Sequence, residues 1–313
     1  MPLINAFSKA VVRDFSIDEL EQAARLMRGY DLVALCAAGS GDSGGTLSMI
    51  EIVAALYLRV ITHDPNNPEW PHRDRVIWSA GRKMPALYLG LAFAGYFPIE
   101  DVVTLRELYS PFQGNPHRLK LPGVEVASES LGQGLSIGVG MALAGKLDGD
   151  EHMVFSIMGD NGQQEGNIGE AAMEASRCQL DNLVGIIDRN RRQIDVWAND
   201  VTNVEPLCSR YQSFGWEVIE IDGNDMRQVV AALQKAKNVP VLGRPTVIIA
   251  NTVNGKGVSF MENVASWENK APSYEEMVQG LDELGLKNAI AYDEFLKRAK
   301  QYQSEVEALP ALQ

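Results

Sequence analysis

Residues 153–190 read MVFSIMGDNGQQEGNIGEAAMEASRCQLDNLVGIIDRN, and this stretch decides the fold. Its first part, Val154 to Met158, is an apolar run of strand length that gives way to a glycine-containing turn, which is typical of a buried strand. A stretch with small or apolar residues at helical spacing follows at about 167–177, and a second apolar run follows at 183–187. Strand, helix and strand in such close succession predict a βαβ unit with parallel strands.

Polar residues follow both predicted strands. Asp160 comes after the first strand and Asn190 after the second, so both are expected at the carboxyl edge of the sheet, where open α/β sheets bind ligands. The glycine-flanked turn between them offers backbone N–H groups at a helix N-terminus, which suits a phosphate. A carboxylate and an amide oxygen beside a phosphate suit Mg²⁺. On spacing alone, a metal-bound diphosphate site and a plain helix cap with a turn asparagine both stay open.

Sequence motifs extend this pattern. GDNGQQEG (159–166) followed by IIDRN (186–190) resembles the thiamine-diphosphate signature of the transketolase family. Four further stretches resemble the amino-terminal half of transketolases in the same order: LSMIEIVAALYLRVITHDPNNPEWPHRDRVIWSAG, SLGQGLSIGVGMALAGKL, FGWEVIEIDGND and NGKGVSFMENVASWENKAP. The resemblance spans roughly residues 15–280. It implies the thiamine-diphosphate-binding (PP-type) α/β fold, a parallel β-sheet with helices on both faces, in the form of the separate N-terminal half of a split transketolase.

The resemblance also implies a site for thiamine diphosphate and Mg²⁺ (or Ca²⁺). The side chains of Asp160 and Asn190 and the backbone carbonyl of Arg192 match the metal ligands. Gly159 and Asn161 match the positions whose backbone N–H groups bind the diphosphate. The family usually has Gly at position 161, and a left-handed or crowded conformation there would be costlier for Asn.

Three further positions match residues around the cofactor. Ile194 matches the apolar residue that supports the thiazolium ring, although an ordinary core isoleucine is an equally good interpretation. Leu131 matches a position near the aminopyrimidine. Glu165 matches the glutamate that links the two active sites across the dimer, and the alternative is a helix-start glutamate that complements the helix dipole.

The histidines that transketolases carry around the substrate channel are replaced here. Asp42, Arg82, Asn115 and Glu268 stand at four of these positions. Neutral imidazoles exchange protons and donate to sugar hydroxyls, whereas ionised Asp and Glu cannot donate and Arg cannot accept. Arg82 and Lys83 either hold the diphosphate or an anionic acceptor, or are solvated charges at a loop end.

The implied function is the transfer of a two-carbon ketol unit from a ketose. The glutamate that activates the cofactor lies in the other half of such enzymes, so we expect activity only with a separate C-terminal, pyrimidine-binding subunit in a two-fold symmetric α2β2 complex. The substrate would be a small ketose or aldose, or a carrier-bound group. Two alternatives stay open: a dehydrogenase-E1-like subunit that passes a two-carbon unit to a carrier protein, and a non-catalytic cofactor-binding partner.

Composition limits the class of protein. The chain has 313 residues, is 46% hydrophobic and carries a net charge of −13, so the basic surface expected of a nucleic-acid or anionic-membrane binder is absent. Three widely spaced cysteines predict free thiols, and no apolar run reaches membrane-spanning length. With no signal-peptide pattern, cytoplasm is expected. We predict an arm at 1–15, a thiamine-diphosphate and Mg-binding α/β domain at 16–270 and a helical tail at 271–313.

Overall fold

The computed structural model describes residues 14–126, 130–193, 196–197 and 205–308. Its strands are β1 (Arg75–Ser79), β2 (Val154–Gly159), β3 (Leu183–Arg189), β4 (Arg192–Gln193), β5 (Val196–Trp197), β6 (Glu217–Asp222) and β7 (Thr246–Asn251). Five of them form a parallel sheet in the order β1–β2–β3–β7–β6, and β4 pairs with β5 in a small antiparallel ribbon. The predicted βαβ unit is therefore confirmed, because β2 and β3 are parallel neighbours.

Helices connect these strands. They are α1 (Ile17–Ala38), α2 (Ser43–Ser48), α3 (Ile50–Ala55), α4 (Met84–Ala94), α5 (Gln133–Asp148), α6 (Gly166–Arg177), α7 (Leu207–Ser213), α8 (Met226–Asn238), α9 (Tyr274–Glu283) and α10 (Tyr292–Glu307). A capping box begins α1, since the Ser16 hydroxyl accepts from the Glu19 N–H at 3.3 Å and the Glu19 carboxylate accepts from the Ser16 N–H at 2.8 Å. The helix ends at Gly39, whose φ of 61° is left-handed.

Two hydrophobic cores lie on opposite faces of the sheet. Side chains of a strand alternate between faces, so Phe155 and Ile157 of β2 join one core while Val154 and Met158 join the other. Helices α1, α3, α4, α8, α9 and α10 cover the first face, and α5, α6 and α7 cover the second. Both sheet faces are thus buried under helices, as the fold class predicts.

The chain between residues 43 and 60 does not form one continuous helix. The chain forms α2 and α3 with a break at Met49, and a π-helical turn at Leu56–Val60 follows α3. Each piece is buried almost throughout, so its hydrophobic pattern gives no sign of the break. Among the glycines of α5, Gly134 and Gly138 are buried but Gly140 is exposed.

The last two helices pack on α1. A Cβ atom at Gly29 of α1 would lie 2.6 Å from Ile290 Cδ1, and one at Gly280 of α9 would lie 2.7 Å from Leu32 Cδ1 of α1. Met277 and Leu281 of α9 are fully buried in the same core. The boundary at residue 270 stays a prediction. Among the residues that the structure describes, no helix is long and apolar enough to cross a bilayer.

Candidate functional site

A cavity of about 570 Å³ opens at the carboxyl ends of β1, β2 and β3. Its wall contains Ala80, Asp160 and Asn190, the residues that directly follow these three strands. The predicted site residues that line it are Asp42, Arg82, Lys83, Asn115, Leu131, Gly159, Asp160, Asn161, Asn190 and Glu268. Residues from distant parts of the sequence therefore meet at the sheet edge where parallel α/β folds bind ligands.

Asp160 is a buried carboxylate in the wall of the cavity. It is 5% exposed, and its two oxygens accept from the N–H groups of Asn161 at 3.0 Å and Arg191 at 2.6 Å. Burial raises the pKa of this carboxyl group to about 6. Arg191 has a left-handed φ of 61°, in the turn that follows β3. The turn thus links the end of β3 to the end of β2 and leaves Asn190, also 5% exposed, beside Asp160 on the cavity wall.

Lys83 and Asp188 form an ion pair beneath the cavity. Asp188 lies in β3, is fully buried and also accepts hydrogen bonds from the hydroxyls of Ser48, at 2.7 Å, and Thr252. Burial alone would lower the pKa of the Lys83 ammonium, but Asp188 and the carboxylates near it raise that pKa. Lys83 is 9% exposed. Its interpretation as a solvated loop charge is therefore wrong, because its ammonium is buried and paired.

Asp42 begins α2 as its N-cap. Its carboxylate accepts from the Gly45 N–H at 2.8 Å, and a Cβ atom at Gly45 would lie 2.7 Å from the same carboxylate. Burial raises the pKa of Asp42, while Lys83 and Arg82 act in the opposite direction. At a position where the resemblance implies histidine, this chain thus has a buried, helix-capping carboxylate on the cavity wall.

The outer end of the cavity is polar and accessible. Arg82, Arg106 and Asn115 are exposed there, Leu131 is 47% exposed, and Glu268 is half-buried. The exposure of the lining residues therefore increases outwards: the carboxylates and the paired lysine are buried at the inner end, and two arginines are exposed at the mouth. Arg106 was missed at the sequence level because no motif marks it; Asp188 was detectable as an acidic residue inside an apolar strand.

Glu165, a predicted site residue, does not line the cavity in the part of the chain that the structure describes. Glu165 is exposed at the N-cap of α6. The backbone of Arg192 begins β4, and Ile194 lies outside the described residues. Asn161, where a left-handed conformation was of concern, instead begins a 3₁₀ turn over Asn161–Gln164, and α6 starts only after that turn. The functional roles of all these residues stay predictions.

A comparison with protein families gives the context for this geometry. The model of the transketolase thiamine diphosphate binding domain matches residues 19–306. The chain belongs to the transketolase family. This confirms the family and the fold that the sequence motifs imply.

Two relatives match over most of their own length. The chain is 40% identical over 251 residues to the 6-deoxy-6-sulfo-D-fructose transketolase subunit SqwG of Clostridium sp. (strain MSTE9), covering 80% of this chain and 90% of that relative. It is 38% identical over 273 residues to an apulose-4-phosphate transketolase subunit of Actinobacillus succinogenes, covering 87% of this chain and 98% of that protein. These relatives do not favour the dehydrogenase-E1-like alternative.

A solved transketolase has the same fold. The enzyme of Campylobacter jejuni superposes with a TM-score of 0.82 at 29% identity, over 94% of this chain and 48% of that chain. The chain therefore spans less than half of this solved transketolase. Its matched part belongs to the thiamine diphosphate binding domain of the family.

The cavity of this family member is suited to the cofactor that the domain binds. Its volume falls within the range of about 300–1,000 Å³ that is usual for ligand sites. A Cβ atom added at Gly159 would meet nothing within 4 Å, so open space lies beside this backbone at the end of β2. Asp160 and Asn190 on the cavity wall have oxygen atoms of the kind that Mg²⁺ takes as ligands.

Proposed function

We propose that this chain is the N-terminal, cofactor-binding subunit of a split transketolase that transfers a two-carbon ketol unit. One observation carries the proposal: Asp160 and Asn190, both 5% exposed, follow adjacent parallel strands and line one cavity of the thiamine diphosphate binding domain. When bound, thiamine diphosphate supplies the carbanion stabilisation that ketol transfer requires. The residues of this chain bind and orient that cofactor.

The proposed metal is Mg²⁺ (or Ca²⁺). Its ligands are the Asp160 carboxylate, the Asn190 amide oxygen and the Arg192 backbone carbonyl, and diphosphate oxygens complete the set. Because the Asn161 and Arg191 N–H groups already bind the Asp160 carboxylate, they hold it in one orientation.

Other residues of this chain contact the cofactor itself in this proposal. Gly159 approaches the diphosphate through its backbone N–H group, and the Asn161 N–H group, which donates to Asp160 at 3.0 Å, is shared between that carboxylate and the diphosphate. The Lys83 ammonium balances the negative charge of the diphosphate and of the nearby carboxylates of Asp160 and Asp188. Leu131 and Ile194 contact the ring systems, with Leu131 supported by its exposure at the cavity mouth.

The substrate is a small ketose, and the names of the relatives mention a sulfonated and a phosphorylated sugar. Asp42, Arg82, Asn115 and Glu268 line its path in place of histidines. The Asn115 amide both donates and accepts, so it suits a sugar hydroxyl. We propose that this altered set of residues selects a different ketose from the one that a histidine-lined channel takes.

A second subunit completes the enzyme in this proposal. The names of the two relatives describe them as subunits, and the chain corresponds to less than half of the solved transketolase. Glu165, exposed at the start of α6, is accessible to a partner. We propose a heterotetramer with two copies of each subunit (an α2β2 complex). We place it in the cytoplasm, where the three free cysteines stay reduced.

The metal assignment is tested by calorimetric titration of thiamine diphosphate and Mg²⁺ into the complex of this chain with its C-terminal subunit. Asp160→Ala removes a charged ligand, so we expect the Mg²⁺-dependent affinity for thiamine diphosphate to fall at least about tenfold. Asp282→Ala, an exposed change on α9, serves as the matched control and should leave the affinity unchanged. Equal affinities for wild type and Asp160→Ala would contradict the assignment.

The assignment as one subunit of an enzyme has its own test. The purified chain alone should show no ketol transfer, and adding the C-terminal subunit should restore turnover. Turnover by the chain alone would refute the need for a partner. A reconstituted complex that binds thiamine diphosphate but transfers nothing would instead favour the non-catalytic alternative.

A further inference from the structure

Two polar side chains on the cavity wall have unused hydrogen-bonding atoms near the start of helix α2. Asn254 is only 1% exposed, and among the described residues neither the oxygen nor the nitrogen of its amide has a partner. Asp42 accepts from the Gly45 N–H through Oδ1, whereas Oδ2 has no donor in the same part of the chain. Buried polar atoms without partners are unfavourable, so these atoms are suited to a ligand that enters the cavity.

Two consecutive glycines bring these side chains together. A Cβ atom at Gly44 would lie 2.2 Å from Asn254 Oδ1, and one at Gly45 would lie 2.7 Å from Asp42 Oδ2. The amide and the carboxylate therefore pack against neighbouring residues of the same short helix. The Gly255 N–H donates to the Gly44 carbonyl at 2.9 Å, which fixes the segment that carries Asn254 to α2. Both side chains are thus held in place before any ligand binds.

The buried carboxylates around the cavity outnumber the cations that are paired with them. Asp42, Asp160 and Asp188 are all buried, and the Lys83 ammonium forms its ion pair with Asp188. Asp160 is assigned to the metal in the proposed function. The charges of Lys83 and Arg82 both act on Asp42, but within the described ranges neither forms an ion pair with it. Asp42 is therefore the carboxylate whose charge a cationic ligand would compensate.

We infer that Asp42 and Asn254 form a binding site for the ammonium group of an amino ketose. The Asp42 carboxylate and the Asn254 amide oxygen accept from the ammonium, and the Asn254 amide nitrogen donates to a hydroxyl on the neighbouring carbon. A sugar that carries only hydroxyls would leave the carboxylate charge uncompensated. This inference rests on the proposed function and deepens it, because it names the chemical class of the donor substrate.

The chemistry of ketol transfer limits the position of the amine. The C2–C3 bond of the donor breaks, its electron pair stays with the two-carbon unit, and C3 becomes an aldehyde as its hydroxyl loses a proton. An amine on C3 would give an imine instead of an aldehyde, so C4 is the first carbon on which it remains a bystander. Because Asp42 and Asn254 are buried, we place the ammonium at C4, close to the reacting carbons. These two residues bind it and take no part in the bond changes.

Steady-state kinetics of the complex with the C-terminal subunit test the site. The donors are D-fructose 6-phosphate and its 4-amino-4-deoxy analogue, with one acceptor, D-ribose 5-phosphate, throughout. We expect kcat/KM of the wild type to be about tenfold higher for the amino ketose. Asp42→Asn still caps α2 but lacks the charge, and Asn254→Leu lacks the amide. Each should abolish the preference, mainly by raising KM for the amino ketose. Asp225→Asn, the same change at the N-cap of α8 and outside the cavity, is the matched control and should retain the preference.

The outcomes separate this inference from the proposed function. An amino ketose that is used no better than D-fructose 6-phosphate, or a preference that Asp42→Asn retains, would overturn the inference alone. Weaker thiamine diphosphate binding by Asp42→Asn would assign the carboxylate to the cofactor and also overturn it. So would activation by potassium chloride that depends on Asp42, because the site would then hold a free cation. A complex that transfers no ketol unit from either donor would overturn the proposed function. Thermal denaturation of each variant verifies that it is folded.

Discussion

The ion pair between the Lys83 ammonium and the Asp188 carboxylate contributes to stability, and Lys83 also lines the cavity. Asp188 is fully buried in β3, and Lys83 precedes α4, so their ion pair joins the sheet to the helical layer. Ser48 of α2 donates to the same carboxylate at 2.7 Å. Removing one partner of a buried pair leaves an uncompensated charge, which costs about 3–5 kcal/mol. Removing the charge of both partners costs less.

This gives a prediction for the pair. Lys83→Met should lower the free energy of unfolding by about 3–5 kcal/mol, and Lys83→Met combined with Asp188→Asn should recover a large part of the loss. Urea denaturation measures both. Lys146→Met is the control, because the Lys146–Asp181 pair is partly exposed and such pairs contribute about 1 kcal/mol or less. A double variant no more stable than the single one would contradict the prediction.

Asp31 is a second residue whose charge matters. It is fully buried in α1, and both carboxylate oxygens lack a hydrogen-bond partner among the described residues. Burial first, and then the nearby Asp42, raise the pKa of Asp31 well above its ordinary value. Because the native pKa exceeds the unfolded one, the folded state binds the extra proton, and stability falls as pH rises between the two values.

Asp31→Asn should remove this pH dependence. We expect the variant to be more stable than wild type at pH 8, by about 1.4 kcal/mol for each unit between the native and unfolded pKa, and the advantage should shrink as pH falls towards 4. Thermal and urea denaturation across this range measure it. Val239→Ala, at a position that is 69% exposed and carries no titratable group, should show no such trend. An Asp31→Asn advantage that is the same at every pH would show that the carboxyl group is not titrating as described.

At the scale of an element, helix α5 contains two glycines whose substitution by alanine should change stability in opposite directions. Gly134 packs on β1, where an added Cβ atom would lie 2.3 Å from Ser79 Cβ and 3.2 Å from Ser79 Cα. Gly140 is exposed, and an added Cβ atom would meet nothing within 4 Å. The close approach of α5 therefore depends on the first glycine and not on the second.

Gly134→Ala should destabilise the protein by about 1–3 kcal/mol, because the strand backbone has to move. Gly140→Ala should stabilise it by about 0.5–1 kcal/mol, because alanine favours a helix interior. The two variants make the same chemical change in one helix and serve as each other's control in thermal denaturation. Ser79 also lines the cavity, so Gly134→Ala should weaken thiamine diphosphate binding while Gly140→Ala should not.

The elements were predictable where the pattern of side chains is strong. Apolar runs bounded by glycine and polar residues predicted β2 and β3 closely, and the same runs predicted the edge where Asp160 and Asn190 meet. The break at Met49 was not predictable, because α2 and α3 are buried on every side. The Lys83–Asp188 pair depends on a contact between residues that are far apart in sequence. Such contacts, and the place of Arg106 in the cavity, require the packed structure.

At the scale of the whole molecule, the first helix connects the C-terminal helices to the cavity. α9 and α10 pack on α1, where Gly29 and Leu32 lie against Ile290 and Gly280. α1 contributes Leu35 to the cavity wall, and the chain leads from its end directly to Asp42. The packing of residues after 270 is thus expected to hold Asp42 in place as well as to complete a core.

A chain that ends at residue 270 tests this connection. The truncation removes Met277 and Leu281, which are fully buried, and Phe295, which is 5% exposed, so it uncovers the face of α1 that they cover. Burying side chains of this size contributes about 1.5–3 kcal/mol each, and a domain is stable by only about 5–15 kcal/mol. We expect the shortened chain to lose cooperative thermal unfolding and to aggregate in size-exclusion chromatography.

A milder change separates loss of the fold from loss of the site. Leu281→Ala leaves a cavity between α9 and α1 and should cost about 2–5 kcal/mol, whereas Val239→Ala, at a position that is 69% exposed, should cost little. If α1 transmits this packing to Asp42, folded Leu281→Ala will also bind thiamine diphosphate more weakly than Val239→Ala does. Unchanged affinity in Leu281→Ala, measured well below its melting temperature, would show that the C-terminal helices support the core without influencing the site.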